Sequence, residues 1–84
     1  MERDDSVLRS KRRSGLDITR DILQVCVNSS TKTHIVSAAN LNNKLIKRYL
    51  DHLLLMKLLV KKSNGRNVVY HTTAHGEEFL KALI

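Results

Sequence analysis

TKTHIVSAANLNNKLIKRYLDHLLLMKLLVKKSNGRNVVY, residues Thr31 to Tyr70, holds two helical segments, a tight turn between them and a hairpin signal at its end. Ser30 or Thr31 supplies a side-chain oxygen to cap a short helix reaching about Ala39, with Ile35, Ala38 and Ala39 inward. Small residues on that side let another helix cross closely. Ala39-Asn40-Leu41-Asn42 reads as the turn: Asn40 suits a left-handed position, because asparagine tolerates positive φ, and Leu41 plugs the crevice between the helices. Asn42 then caps a helix predicted to run to about Met56. At about 100° per residue from Asn43, the residues Leu45, Ile46, Tyr49, Leu53 and Met56 fall on one side. Asn43, Lys44, Lys47, Arg48 and Asp51 fall on the other, so this helix has a core side and a basic side. Leu54 and Leu55 lie on the polar side near its end, where the first helix, the last helix, the N-terminal arm or a second subunit must cover them.

Past this helix, Leu58–Lys62 and Asn67–Thr72 read as strands around Ser63-Asn64-Gly65-Arg66. Asn-Gly between β-prone segments signals a type I′ hairpin, whose two central residues need positive φ. Such a ribbon is marginal in water alone, and Val68 and Tyr70, on one face, lean it on the helices. Upstream, Ile18, Ile22, Val25 and Cys26 form the stripe of a first helix from about Leu16 to Asn28, with Asp17 and Asp21 where the helix dipole favours anions. Downstream, Thr73 caps a last helix with the stripe Gly76, Phe79, Leu80 and Leu83, and Gly76 predicts a close backbone approach. The order helix, helix, tight turn, helix, ribbon, helix describes a mainly α (α+β) winged helix-turn-helix: three helices, a two-stranded β-hairpin wing and a C-terminal helix. Residues 15–84 form that domain, and residues 1–14, polar with Arg3, Arg9, Lys11, Arg12 and Arg13, read as a flexible basic arm.

Charge gives an independent reading. From Asn42 to Arg66 there are seven basic residues against Asp51 alone, a surplus of +6 beside a whole-chain formal charge of +7. A sequence pI of about 10.0 calls for a polyanionic partner. With 84 residues the chain builds one domain with a thin core, for which oligomerisation is a common remedy. The lone Cys26 excludes an internal disulfide framework and fits a reducing compartment. No apolar run reaches the roughly 20 residues of a membrane span, and no secretion signal is evident, so the expected location is the cytoplasm, with the nucleoid. His34, His52, His71 and His75 show no metal spacing with Cys26. No nucleophile–base pair or glycine-rich phosphate loop is present, so neither an enzyme nor a cofactor is expected.

From Arg12 to Leu80 the sequence resembles the archaeal ArnR-like winged-helix domains, small predicted transcriptional regulators. It is also similar to a related dimeric archaeal DNA-binding protein with a C-terminal coiled coil. The resemblance rests on Arg12-Arg13-Ser14, Leu16-Asp17-Ile18, Asp21-Ile22-Leu23, Thr33, Ile35, Ala39-Asn40-Leu41-Asn42, Tyr49-Leu50, Leu53-Leu54 and Leu58. Tyr70, Thr73, Gly76, Phe79 and Leu80 match the family's Y-x-x-T-x-x-G-x-x-F-L ending. It implies DNA binding, usually by a homodimer. Lys57 stands where the family has a glycine as left-handed helix cap, so this helix is expected to end differently or to extend. The sequence reaches Ile84 without the length of a long coiled coil.

The expected partner is therefore double-stranded DNA. Asn42, Asn43, Lys44, Lys47 and Arg48 form the leading side of the helix that would enter the major groove; the bland reading is a solvated helix face. Lys61, Lys62, Asn64 and Arg66 form the wing, otherwise an edge kept soluble by lysines. Thr31, Lys32 and Thr33 open the second helix, where backbone amides hold phosphate, and Arg12 and Arg13 lie on the arm. Leu54, Leu55, Leu80, Leu83 and Ile84 are the expected dimer contacts. The rival reading is a winged-helix module that binds an acidic protein partner. RNA is disfavoured by the scarcity of aromatic residues.

Overall fold

The first helix begins where its sequence can close it off. Ser14 accepts a hydrogen bond from the Asp17 amide at 3.1 Å and its own amide donates to Asp17 Oδ2 at 3.3 Å, a reciprocal capping box. The computed structural model describes residues 14–83; Arg12, Arg13, the arm before Ser14 and Ile84 lie outside the described residues. The elements are α1 (Gly15–Cys26), β1 (Ser30–Thr31), α2 (Lys32–Ala39), α3 (Asn43–Leu55), β2 (Leu59–Asn64), β3 (Asn67–Thr72) and α4 (Ala74–Ala82).

Among the described residues four helices accompany an antiparallel sheet of three strands, in the order β1-β3-β2, not two. The additional strand comes from Ser30 and Thr31, which pair with Tyr70 and Val69. These two residues also finish and start helices. The last four carbonyls of an α-helix have no partner within it. In α1 the Leu23 carbonyl accepts from Thr72 Oγ1 at 2.6 Å, that of Gln24 from the Val27 amide, that of Val25 from Ser30 Oγ at 3.0 Å, and that of Cys26 from the Ser29 amide at 3.0 Å. Ser30 and Thr72 are the two buried polar residues of the described chain, and both are occupied in this way.

The core gathers Ile18, Ile22, Leu23 and Cys26 of α1, Ile35 and Ala39 of α2, Ile46, Leu50 and Leu53 of α3, and Leu58 and Leu59. Around it α1 packs on α2, β3 and α4, while α3 packs on α2 and β2. Several expectations shift by part of a turn. The buried side of α3 centres on Ile46, Leu50 and Leu53, which brings Leu50 in and leaves Met56, 47% exposed, out. Ala38 is exposed, because α2 turns Ile35 and Ala39, with Val36 beside them, toward the core. Val68 is 42% exposed because it sits toward the wing tip beyond the helices, whereas Tyr70 on the same face reaches them.

The turns carry the remaining corrections. Asn40 adopts φ 55° and ψ 52°, as its sequence position predicts. Lys57 adopts φ 64°, so α3 ends on the same left-handed geometry that a glycine would supply. Its amide reaches the Leu54 carbonyl at 3.1 Å and the Leu58 amide reaches that of Leu53 at 3.0 Å, the paired bonds of a Schellman ending. In the hairpin Asn64 pairs with Asn67, so the two loop residues are Gly65 and Arg66 rather than Asn64 and Gly65. Gly65, at φ 67°, takes the first central position, which fits a type II′ turn. Gly76 makes the predicted close approach: a Cβ there would fall on the Leu58 carbonyl oxygen and 2.7 Å from Thr72 Cγ2.

Candidate nucleic-acid interface

Two N-caps aim the site. Asn42 Oδ1 accepts from the Leu45 amide at 2.8 Å and fixes the start of α3; Thr31 Oγ1 accepts from the His34 amide at 3.2 Å and fixes the start of α2. Both side chains are thereby committed to positioning their helices. The residues that follow are free to face outward. Lys32, Thr33, Asn43, Lys44, Lys47 and Arg48 are all exposed. Lys32, Thr33 and Asn43 line one cleft with Val36, so the openings of α2 and α3 lie side by side.

The outward pole of α3 has two different flanks. On one, Lys47 Nζ meets Asp51 Oδ2 at 3.1 Å. Tyr70 of β3 lies within the influence of both: burial pushes its phenol above the ordinary range, Asp51 and Cys26 push it the same way, and Lys47 opposes them. This is therefore the wing flank. On the other flank Leu45, Arg48, Tyr49 and His52 line a shallow depression. Tyr49 Oη there lies 3.2 Å from where a Cβ of Gly15 would stand, so this flank borders the start of α1. A partner meeting the pole of α3 is thus framed by the wing and by the beginning of the first helix.

The wing divides its cations. Lys61 pairs with Tyr70 and Lys62 with Val69. Adjacent strand residues point to opposite faces, so Lys61 shares the helix-side face with Tyr70. Lys62 shares the outer face with Val69 and, through the pairing of β1 with β3, with Thr31. Arg66 is exposed at the tip, and Asn64 contributes the backbone pair that closes the loop. His52 and Tyr70 lie beside the expected residues without being among them. His52 follows Arg48 by one turn on the same helix face, a spacing readable in the sequence, whereas Tyr70 comes within electrostatic reach of Lys47 and Asp51 only through tertiary packing. Among the described residues no group of three or more His, Cys, Asp or Glu side chains could hold a metal ion, and no helix is long and apolar enough to cross a membrane.

Of the expected apolar contacts, Leu55 stands 78% exposed at the end of α3. Leu54 is half-buried and packs against the core, as does Leu80 of α4. Leu83 is half-buried at the end of α4.

A short helix, a left-handed turn, a second helix with an outward cationic pole and a β-ribbon beside it define a winged helix-turn-helix. The chain belongs to the winged helix-turn-helix family, whose profile matches residues 12–84. Among solved structures it is similar to Sso10a-2, a DNA-binding protein from Sulfolobus solfataricus, with a TM-score of 0.79 and 25% identity over 84% of this chain and 75% of that one. It shares its fold with BpsR of Bordetella bronchiseptica, whose DNA binding is regulated by 6-hydroxynicotinic acid (TM-score 0.72, 14% identity, 99% of this chain and 73% of that one). It also shares it with MepR, a transcription regulator of the Staphylococcus aureus multidrug efflux pump MepA (TM-score 0.71, 17% identity, 93% and 60%). No curated protein sequence matches the chain.

Proposed function

We propose that the protein is a transcriptional regulator that binds double-stranded DNA, with the leading turns of α3 in the major groove. The observation that carries this reading is the coincidence of exposed cations with the pole of α3 that the wing and the start of α1 frame. A major groove about 12 Å wide admits one helix. Asn43, Lys44, Lys47 and Arg48 then meet base edges and flanking phosphates. The amides opening α2, with Lys32 and Thr33, take a phosphate beside them. Lys61 and Arg66 reach the backbone or minor groove from the wing, and Arg12 and Arg13 add contacts from the arm. Similarity to the DNA-binding Sso10a-2 supports the same reading.

The test is a titration of duplex DNA at rising salt. Four or five phosphate contacts per subunit give a log-log slope of about −4 per subunit. Replacing Lys47 and Arg48 together by alanine costs roughly 2–5 kcal/mol of specific binding; unchanged affinity in that double variant would overturn the assignment.

A homodimer completes the proposal. Leu80 of α4, with Leu83 and Ile84 after it in the sequence, forms its contact, with Leu55 as the exposed leucine of α3; Leu54 contributes less because the core already holds it. Sedimentation at tens of micromolar is expected to give twice the chain mass, and a monomer there would remove the dimer from the proposal. The nucleoid is the compartment where such a dimer would act.

A further inference from the structure

Asp51 is the only acid between Asn42 and Arg66, and it stands on the outward pole of α3 among the cations offered to a polyanion. Its carboxylate accepts from Lys47 Nζ at 3.1 Å, one helical turn earlier, with the two side chains 63% and 71% exposed. Helix stability gives little reason for the pair. Exposed pairs of this spacing contribute about 0.3–0.5 kcal/mol, and the order cation-then-acid is the weaker one. Toward a phosphate backbone the carboxylate is repulsive. What the pair does present is a hydrogen-bond donor and an acceptor side by side, on a helix edge, facing outward.

That arrangement has its fullest match on the edge of a G·C pair. In the major groove a G·C pair offers two acceptors, guanine N7 and O6, next to the amino donor of cytosine N4. Lysine donates to guanine O6 or N7, and an aspartate accepts from cytosine N4. An A·T pair also sets an acceptor, adenine N7, beside a donor, N6, but gives the ammonium one acceptor in place of two, and at thymine O4 the carboxylate meets a second acceptor. We propose that Lys47 and Asp51 act as a unit that reads one G·C pair, Asp51 being the specificity-determining residue. The inference rests on the DNA-binding reading given above. Away from such a base pair, Asp51 keeps Lys47 on the helix and repels phosphate, so the same carboxylate lowers affinity for duplex of arbitrary sequence. Tyr70 of β3 feels the charges of both residues, and Lys44 and Arg48 are exposed on the same helix.

Selection of bound sequences from a random duplex library tests it, with wild type, Asp51→Ala, Lys47→Ala, the double variant, and Glu78→Gln. The last removes one negative charge from an exposed position of α4 and so controls for net charge. Wild type is expected to select G·C at one position by about tenfold, the worth of a good paired contact. Asp51→Ala loses that preference alone while binding random duplex about threefold more tightly at low salt. Lys47→Ala loses the same position, and the double variant loses no more there than either single one. Preferences in Asp51→Ala that match wild type at every position would overturn the proposal, as would a uniform gain in affinity equal to that of Glu78→Gln. Wild type that binds no duplex even at low salt would instead sink the DNA-binding reading itself, so the two failures are distinguishable.

Discussion

Lys57 carries a left-handed backbone, φ 64°, at a position where its side chain adds nothing to the core. A residue with a Cβ in that region costs about 1 kcal/mol more than glycine. The Schellman bonds from Lys57 and Leu58 to Leu54 and Leu53, with Leu53 and Leu58 both buried, impose the geometry and offset that cost. Lys57→Gly is therefore expected to stabilise the fold by about 0.5–1 kcal/mol, the glycine's extra freedom in the unfolded chain taking back part of the relief. Denaturant midpoints of the two proteins check this. Cys26 belongs to the same scale. It is fully buried, and burial pushes its thiol from 9.0 up to about 12. The folded chain thus keeps the proton that the unfolded chain releases near pH 9. Stability carried by this group is intact below pH 9 and is lost progressively as pH rises toward about 12. Unfolding midpoints measured across that range should fall, and Cys26→Ser should flatten the slope.

Among the described elements, α1 is closed by a distant residue. Its Leu23 carbonyl is closed by a hydroxyl from β3, 49 positions along the chain. Removing only that hydroxyl, as in Thr72→Val, leaves a buried acceptor unsatisfied and costs about 1–3 kcal/mol, measurable by thermal or denaturant unfolding. This tie shows why some of the fold could be read in the sequence and some could not. Asn40, Asn42, Thr73 and Gly76 act through backbone needs that are local, so their roles as left-handed turn, caps and close approach were legible. The strand at Ser30–Thr31 was not, because two residues hold no periodicity and their pairing is decided by where β3 lies. The hairpin register is not decided by the sequence, since Asn-Gly and Gly-Arg both satisfy a tight two-residue loop and only the pairing of Asn64 with Asn67 separates them. The buried side of α3 lies less than a quarter turn from the one its spacing predicts, enough to bring Leu50 in and put Met56 out while every cation stays outside. The basic pole was legible because charge must stay solvated, whereas its two flanks, set by Tyr70 and by Gly15, arise only when the chain closes on itself.

For the molecule as a whole, the sheet divides into a tied part and an untied one. Near the helices, Ser30, Tyr70 and Thr72 link β1 and β3 to α1 and the core. Toward the loop, Val68 is exposed and a Cβ at Gly65 would meet nothing within 4 Å. Amide hydrogen exchange should divide along the same line: amides of Tyr70 to Thr72 exchange only with global unfolding, and those of Gly65 and Arg66 exchange fast. A segment so lightly invested in the rest can be lengthened, shortened or recharged at little thermodynamic expense. Descendants of this scaffold can thus change how far the ribbon extends along a polymer, and with it their footprint, while inheriting the same body unaltered.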